Sequence, residues 1–284
     1  MTGTQHAGID YEWLLANLEV GTVMRGVDEA QLEPVETFVL GPKAIYAAEA
    51  YVLGLFQLYP TIYFHKTTRC FEKLFSQLLL RLHRLIEDGS GTDTGLPNTH
   101  PLFIFCKEPD SLEKILSLDD SCVCGAYTMI GDAKDDVISS IAKRILDRKR
   151  LKCVDVRREI EQSLELEAVS GLQQSIETAC ASVRTGVEEW LDHRRSDFPR
   201  ILVDEGKRDP YRELDESKGP LNQIRIRISD QDKTKHVDLR DRSKVVKAID
   251  PFIFNRMYVA DDESEQFLQG LIKKEIENVQ KSCS

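Results

Sequence analysis

The strongest constraint on the fold of this chain is an apolar stripe in the segment that follows Pro60. Large apolar residues recur there at steps of three and four, namely Phe71, Leu74, Phe75, Leu78, Leu79, Leu82 and Ile86. This spacing places them on one side of an α-helix, and a side of that kind is buried against a core. The pattern predicts a long helix that begins near Thr61 and ends before the glycine-rich loop at 88–95.

Helical patterns also cover most of the remaining N-terminal half of the chain. The segments with helical periodicity or helix-start signals are 11–18, 43–58, 111–116, 122–129 and 135–148. The first 90 residues are therefore expected to be helical, although segment 31–40 has no clear pattern.

After residue 150 the pattern changes. Apolar and polar residues alternate at 201–203, 223–228 and 257–259, while 157–191, 242–249 and 264–279 have helical patterns. Alternation with a period of two predicts half-buried strands. The predicted fold is mainly α, with a helical domain over residues 1–150 and a small α+β domain over residues 151–284.

Charge and composition restrict the class of partner. The chain has 48 acidic and 38 basic residues, a formal charge of −10, which argues against an extended nucleic-acid surface but not against a local basic pocket. It has no signal-peptide pattern and no apolar run of the roughly 18 residues that a membrane span requires. Its seven cysteines include one close pair, Cys122 and Cys124, without a second pair to complete a zinc site. We expect a cytoplasmic protein with free thiols and no membrane partner.

The residues contain no recognisable catalytic or metal-binding motif. The six histidines are isolated, and no phosphate-binding loop or zinc-protease motif is present. The segment 59–69, YPTIYFHKTTR, is unusual because Tyr59, Tyr63, His65, Lys66 and Arg69 follow one another closely. Tyrosine rings can stack on a sugar or base, and cations can bind phosphate. Core packing by the rings and solvation of the cations is the alternative interpretation.

At this segment the chain resembles a known family. Residues 47–51 (AAEAY) and 63–69 (YFHKTTR) resemble the signature helices of the HD-domain deoxynucleoside triphosphate triphosphohydrolases. That family includes bacterial HD phosphohydrolases and the animal SAM-and-HD-domain dNTPase. Further segments resemble it in register at 116–120, 142–152, 242–246 and 256–259. The resemblance implies the C-terminal part of an HD-type all-helical domain, followed by a small α+β domain. It also implies the hydrolysis of a dNTP to a deoxynucleoside and triphosphate.

The same resemblance predicts that this chain lacks the metal site. The family holds a divalent ion of the Mg, Mn or Fe class with a His, a His-Asp pair and a later Asp. Residues 1–3 and 9–11 resemble the segments that follow the last of these ligands. All four ligands would then precede Met1. We therefore expect no catalytic residue and no metal ligand here, and we predict that the isolated chain is inactive.

Four positions resemble the family's substrate pocket or depart from it. Tyr63 matches a tyrosine that packs against the deoxyribose, and Tyr59 lies where some members have a catalytic histidine. Leu55 lies where many members have a phosphate-binding arginine. Phe64 differs from the glutamine of the animal enzyme. The two departures weaken the expectation that phosphate and sugar are held as in the family.

A second group resembles the family's allosteric activator site, which lies between subunits and binds dNTP-type or GTP-type nucleotides. Its members are Asp10, Lys43, His65, Lys66, Arg148 and Lys152. The four cations among them would form a strongly basic pocket in an acidic protein. Because the family's site lies between subunits, the resemblance implies a homo-oligomer, or association with a chain that carries the HD motif. One alternative is a non-catalytic nucleotide-binding and oligomerisation module. Another is that Arg148 and Lys152 only complement a helix end.

Overall fold

The structure is a computed structural model, and it describes residues 8–25, 33–164, 172–194, 198–211, 223–230 and 233–283. In chain order its helices and strands are α1 (Tyr11–Ala16), β1 (Leu18–Arg25), β2 (Glu33–Leu40), α2 (Ile45–Leu58), α3 (Lys66–Glu87), α4 (Pro101–Lys107), α5 (Leu112–Leu116), α6 (Asp120–Gly131), α7 (Asp136–Leu146), β3 (Lys152–Asp155), α8 (Val156–Leu164), α9 (Leu172–Arg194), β4 (Ile201–Arg208), β5 (Arg225–Asp230), β6 (Lys233–Asp238), α10 (Leu239–Arg242), α11 (Lys244–Lys247), β7 (Phe252–Val259) and α12 (Asp262–Cys283). The predicted class, mainly α with a small α+β part, is confirmed.

The chain forms two compact units, and each unit contains two stretches of sequence. The first unit comprises Met1–His65 and Lys207–Ile253, and the second comprises Lys66–Gly206 and Phe254–Ser284. This division differs from the predicted ranges 1–150 and 151–284. Position 150 is not a break between units, because Leu151 is buried and its N–H donates to Cys70 Sγ at 3.3 Å.

The first unit combines a small sheet with α2. Its strand order is β1-β2-β5-β6, and β1 and β2 form an antiparallel hairpin in which Val20 lies opposite Phe38. The core beneath the sheet includes Ala48 and Val52 of α2 and Ile226 of β5. The prediction that the first 90 residues are helical is wrong for this hairpin. More and less exposed residues alternate along most of both strands, and several of the residues are β-branched, which favours a strand.

The second unit contains the helix predicted from the apolar stripe. Leu74, Leu78 and Leu82 of α3 are fully buried and pack in one core with Ile138 and Ile141 of α7, which confirms the stripe. The helix begins at Lys66 and not near Thr61. The preceding residues Tyr59–Tyr63 form a wider π-type turn, to which Pro60 contributes no N–H.

The second unit also contains a three-stranded sheet of order β3-β7-β4. Strands β3 and β7 are antiparallel, with Cys153 opposite Tyr258. A second core packs helices α8, α9 and α12 together with these strands, and includes Ile160, Val183 and Leu268. Among the described residues, no helix is long and apolar enough to cross a membrane.

Candidate functional site

A cleft of about 380 Å³ on the second unit brings together three cationic side chains. Its lining residues are Lys66, Thr67, Arg150, Leu151, Lys152 and Cys153. Two short segments, distant in sequence, therefore build it: the first turn of α3 and the connection from α7 into β3. The predicted residues Lys66 and Lys152 are both in this lining.

The end of α7 directs the second segment into the cleft. Arg148 has a left-handed backbone conformation with φ of 54°, and the N–H of Lys149 donates to the carbonyl of Arg144 at 2.8 Å. This geometry ends a helix and turns the chain. Leu151 is then held inside, whereas Arg150 and Lys152, on either side of it, are exposed. One buried residue between two exposed ones places both cations at the cleft.

The cleft has an excess of positive charge. Within the part of the chain that the structure describes, Lys66 and Arg150 form no ion pair. Lys152 does form one, with its Nζ 2.5 Å from Glu265 Oε1. The cleft also lies at the N-terminus of the 22-residue helix α3, where the helix dipole favours an anion. Three cations and a helix N-terminus against one carboxylate favour a ligand with several negative charges.

The thiol in the cleft lining is not an activated nucleophile. Burial raises the pKa of Cys153 to about 11, and the nearby guanidinium of Arg256 opposes this only in part. Because the thiolate is the reactive form, a thiol with so high a pKa is protonated and unreactive at neutral pH. The arrangement therefore offers binding groups rather than covalent chemistry.

The predicted substrate-pocket tyrosines lie in the first unit and differ in exposure. The hydroxyl of Tyr59 accepts a hydrogen bond from Arg208 Nε at 2.9 Å. Its ring packs against Phe64 at a centroid distance of 5.6 Å, and Phe64 in turn stacks on Phe252 at 5.8 Å. Tyr63 is 56% exposed. Tyr59 thus has a packing role, whereas the exposed side chain of Tyr63 is accessible to a ligand. The predicted substrate roles of both tyrosines remain predictions.

Asp10 and Lys43 contact the same tryptophan in the first unit. Asp10 Oδ1 accepts a hydrogen bond from the backbone N–H of Trp13 at 2.9 Å and so caps α1. The indole of Trp13 donates to the carbonyl oxygen of Lys43 at 3.2 Å. His65 is exposed and ends this stretch of the first unit. The predicted nucleotide contacts of these residues remain predictions.

The structure adds Arg150 to the predicted cations, and Arg148 is not among the lining residues. The signal that could have identified Arg150 is the alternation in the segment Arg150, Leu151, Lys152, Cys153, Val154, which has the period of a strand. The resemblance of residues 142–152 to the family indicated Arg148 and Lys152 and gave no role to Arg150. The predicted four-cation pocket remains a prediction.

The described residues do not fit the divalent metal that the resemblance implies. No group of three or more His, Cys, Asp or Glu side chains lies close enough to hold an ion in the ranges the structure describes. Structural metal sites require about four such ligands and catalytic sites about three. The chemistry derived from these residues therefore includes no step at a metal.

Comparison with known proteins finds a sequence and solved structures that are similar to this chain at low identity. No protein-family model matches the chain. Over 135 residues it is 27% identical to the uncharacterized protein YwfO of Bacillus subtilis (strain 168). The matched region is 48% of this chain and 30% of YwfO. The crystal structure of a phosphohydrolase from Bacteroides thetaiotaomicron matches with a TM-score of 0.57 and 17% identity, covering 90% of this chain and 57% of that one. A hypothetical protein from Aquifex aeolicus has a TM-score of 0.49 and 16% identity, over 95% of this chain and 52% of its own.

The chain therefore shares its fold with part of the Bacteroides phosphohydrolase. At 17% identity the likeness to the Bacteroides protein concerns the fold alone. The chain spans 57% of that protein and 30% of YwfO, so it corresponds to only part of each.

Proposed function

We propose that this chain is part of a nucleotide phosphohydrolase of the dNTP triphosphohydrolase type. Its own contribution is to bind the polyphosphate of a nucleotide in the cationic cleft. The observation that carries the proposal is the placement of Lys66, Arg150 and Lys152 around one cleft of an acidic chain. The phosphohydrolase-like fold supports the choice of reaction class.

Each lining group has a distinct chemical role in this proposal. The guanidinium of Arg150 can donate two parallel hydrogen bonds to the oxygens of one phosphate. The ammonium groups of Lys66 and Lys152 act as point charges that attract the neighbouring phosphates of the chain of phosphates. Backbone N–H groups in the first turn of α3, although uncharged, also attract the negative phosphate. A triphosphate carries more negative charge and more oxygens than a single phosphate, and so it suits a site with three cations better.

Hydrolysis itself requires groups that the described residues do not provide. Attack of water on the α-phosphorus develops charge that a divalent metal neutralises, and the described residues offer no place for that metal. Catalysis by the whole protein would depend on metal ligands outside the described residues, for example in an associated chain that carries the HD motif. If no such ligands exist, the chain is the non-catalytic nucleotide-binding and oligomerisation module.

The binding proposal is tested by calorimetric titration with inorganic triphosphate, dGTP and GTP. We expect Lys66→Gln and Arg150→Gln each to weaken triphosphate binding at least five-fold, because each removes a charge-assisted contact of about 1–2 kcal/mol. Lys149→Gln is the matched control, since Lys149 pairs with Asp147 at 2.9 Å and is not in the lining.

The variant Arg148→Gln distinguishes the site defined by the cleft lining from the site implied by the family resemblance. The geometry predicts that this variant binds triphosphate as the wild type does, whereas the alignment to the family predicts weaker binding. Equal affinity for triphosphate in the wild type, Lys66→Gln and Arg150→Gln would reject the cleft as the site.

The expected lack of catalysis is tested separately. Triphosphate release from each of the four dNTPs, with Mg²⁺ and with Mn²⁺, should not exceed the rate in buffer for this chain alone. Robust metal-dependent turnover by the purified chain would contradict the expectation, and it would show that residues of this chain complete a metal site.

A further inference from the structure

One of the three cations in the cleft lining already has an internal anionic partner. Lys152 Nζ lies 2.5 Å from Glu265 Oε1, and the two side chains are 64% and 24% exposed. Lys152 begins β3 and is opposite Val259 of β7, and β7 leads into α12, which carries Glu265 in its first turn. The ion pair therefore joins the wall of the cleft to the start of α12.

The backbone that carries Glu265 is anchored independently of Lys152. Asp261 accepts hydrogen bonds from the Ser264 N–H at 2.8 Å and from the Ser264 hydroxyl at 2.9 Å. Arg200 donates to Asp261 Oδ1 at 2.8 Å and to Glu263 at 2.6 Å. Because these contacts hold the first turn of α12, Glu265 can leave Lys152 by rotation of its side chain, without movement of the helix.

We propose that Glu265 is a built-in competitor for the anionic ligand of the cleft. Its carboxylate forms an ion pair with the ammonium of Lys152 when the cleft is empty, and a phosphate that binds in the cleft displaces it from Lys152. The inference rests on the proposed function, since it requires that the cleft binds a polyphosphate. A carboxylate and a phosphate cannot both approach one ammonium group closely without repelling each other. Glu265 therefore lowers the affinity of the cleft and keeps Lys152 oriented at its wall.

The test compares the affinity for inorganic triphosphate among five proteins. They are the wild type, Glu265→Gln, Glu263→Gln, Lys152→Gln and the double variant Lys152→Gln with Glu265→Gln. Glu263→Gln is the matched control, because it removes the same charge from the same turn but its partner is Arg200. We expect Glu265→Gln to bind triphosphate about two- to five-fold more tightly, the range for an exposed ion pair. We expect Glu263→Gln to change the affinity less than two-fold.

The double variant distinguishes direct competition from a general charge effect. With Lys152 replaced, the removal of Glu265 should no longer strengthen binding, because the contested ammonium is gone. The inference is overturned if Glu265→Gln binds no more tightly than the wild type, or if its gain persists in the Lys152→Gln background. If neither the wild type nor Glu265→Gln binds triphosphate, the proposed function fails and this inference fails with it. Equal binding by both rejects the inference alone.

Discussion

At the scale of single residues, the second unit depends on a buried carboxylate held by two cations. Asp204 is fully buried, and Arg69 donates to both of its oxygens, with the Nε–Oδ2 distance at 3.1 Å. Lys73 Nζ lies 3.4 Å from Asp204 Oδ1. The hydrogen bonds to Asp204 raise the pKa of the Arg69 guanidinium further above its ordinary value. Loss of one partner from such a cluster leaves the others buried and uncompensated.

We expect Asp204→Asn to lower the free energy of unfolding by about 2–4 kcal/mol, because Lys73 and Arg69 lose the buried carboxylate between them, although Arg69 retains its ion pair with Glu72 at 2.7 Å. Urea denaturation at pH 7 measures the change. Asp93→Asn is the control, since Asp93 lies 3.8 Å from Lys134 in an exposed pair that should contribute less than about 1 kcal/mol. Similar losses in the two variants would show that burial of Asp204 has no special role.

At the scale of elements, two glycines with positive φ have different surroundings. Gly89 follows α3 with φ of 77°, next to a helix-ending hydrogen bond from the Ser90 N–H to the Leu85 carbonyl at 2.8 Å. Gly95 has φ of 75°, and a Cβ there would lie 2.3 Å from the carbonyl oxygen of Met129. No atom lies within 4 Å of the corresponding point at Gly89. Gly89 is therefore favoured by its backbone conformation alone, whereas Gly95 is required also because the backbone of Met129 leaves no room for a Cβ.

We expect Gly89→Ala to cost about 1 kcal/mol of unfolding free energy, the usual cost of a left-handed alanine. Gly95→Ala should cost about 3 kcal/mol or more, because the backbone near Met129 must also shift. Thermal and urea unfolding of the two variants provide the comparison. If both variants lose the same stability, the close approach of α6 to Gly95 is not a constraint.

The start of α12 should make stability depend on pH. Hydrogen bonds from Arg200 hold the pKa of Asp261 below its usual range, with a further contribution from Ser264, while burial opposes the shift. A carboxylate with a lowered folded pKa stabilises the protein fully above its unfolded pKa of about 3.9. That stabilisation disappears as the pH falls through the folded pKa.

We expect Asp261→Ala to lose about 1 kcal/mol of stability between pH 5 and 7, since the site is partly exposed and Asp261 also caps the helix. The difference from the wild type should narrow as the pH falls from 4 to 2. Asp262→Ala, the change of the exposed neighbour, should show a small difference at every pH. A loss for Asp261→Ala that is constant down to pH 2 would indicate lost packing instead of lost charge.

At the scale of the whole molecule, each unit depends on both halves of the sequence. In the second unit, Leu151, Leu202 and Tyr258 belong to the same core as the α3 stripe. In the first unit, Ile226 and Leu239 complete the core around α2. A chain cut after residue 150 would expose both partial cores to water.

We therefore expect the fragment 1–150 to lack a cooperative thermal transition by circular dichroism, while the full chain unfolds cooperatively. The physical reason is that the fragment loses Leu151, Leu202 and Tyr258 from the core of α3, and Ile226 and Leu239 from the core of α2. A cooperative transition in the fragment would support the domain boundary predicted near residue 150.

The sequence alone determined the elements whose pattern is local. The stripe of α3, the helices α2 and α7 and the long C-terminal helix follow from apolar residues three and four positions apart, because that periodicity is a property of one helix. The family resemblance of several segments, among them 47–51 and 63–69, also indicated the fold that the chain shares with part of the Bacteroides phosphohydrolase. The hairpin of β1 and β2 was not predicted, because apolar residues such as Val20 and Phe38 lie on its exposed face. Apolar and polar residues therefore do not alternate regularly along its strands.

Only the tertiary structure decided which cations share a cleft. Lys66 and Arg150 lie far apart in the chain. Arg150 faces the cleft because the left-handed conformation of Arg148 turns the chain after α7 and because Leu151 is held inside by its hydrogen bond to Cys70. The pairing of Lys152 with Glu265 likewise joins two distant segments. Such contacts depend on how helices and strands pack against one another, and packing is a property of the whole unit that local periodicity does not specify.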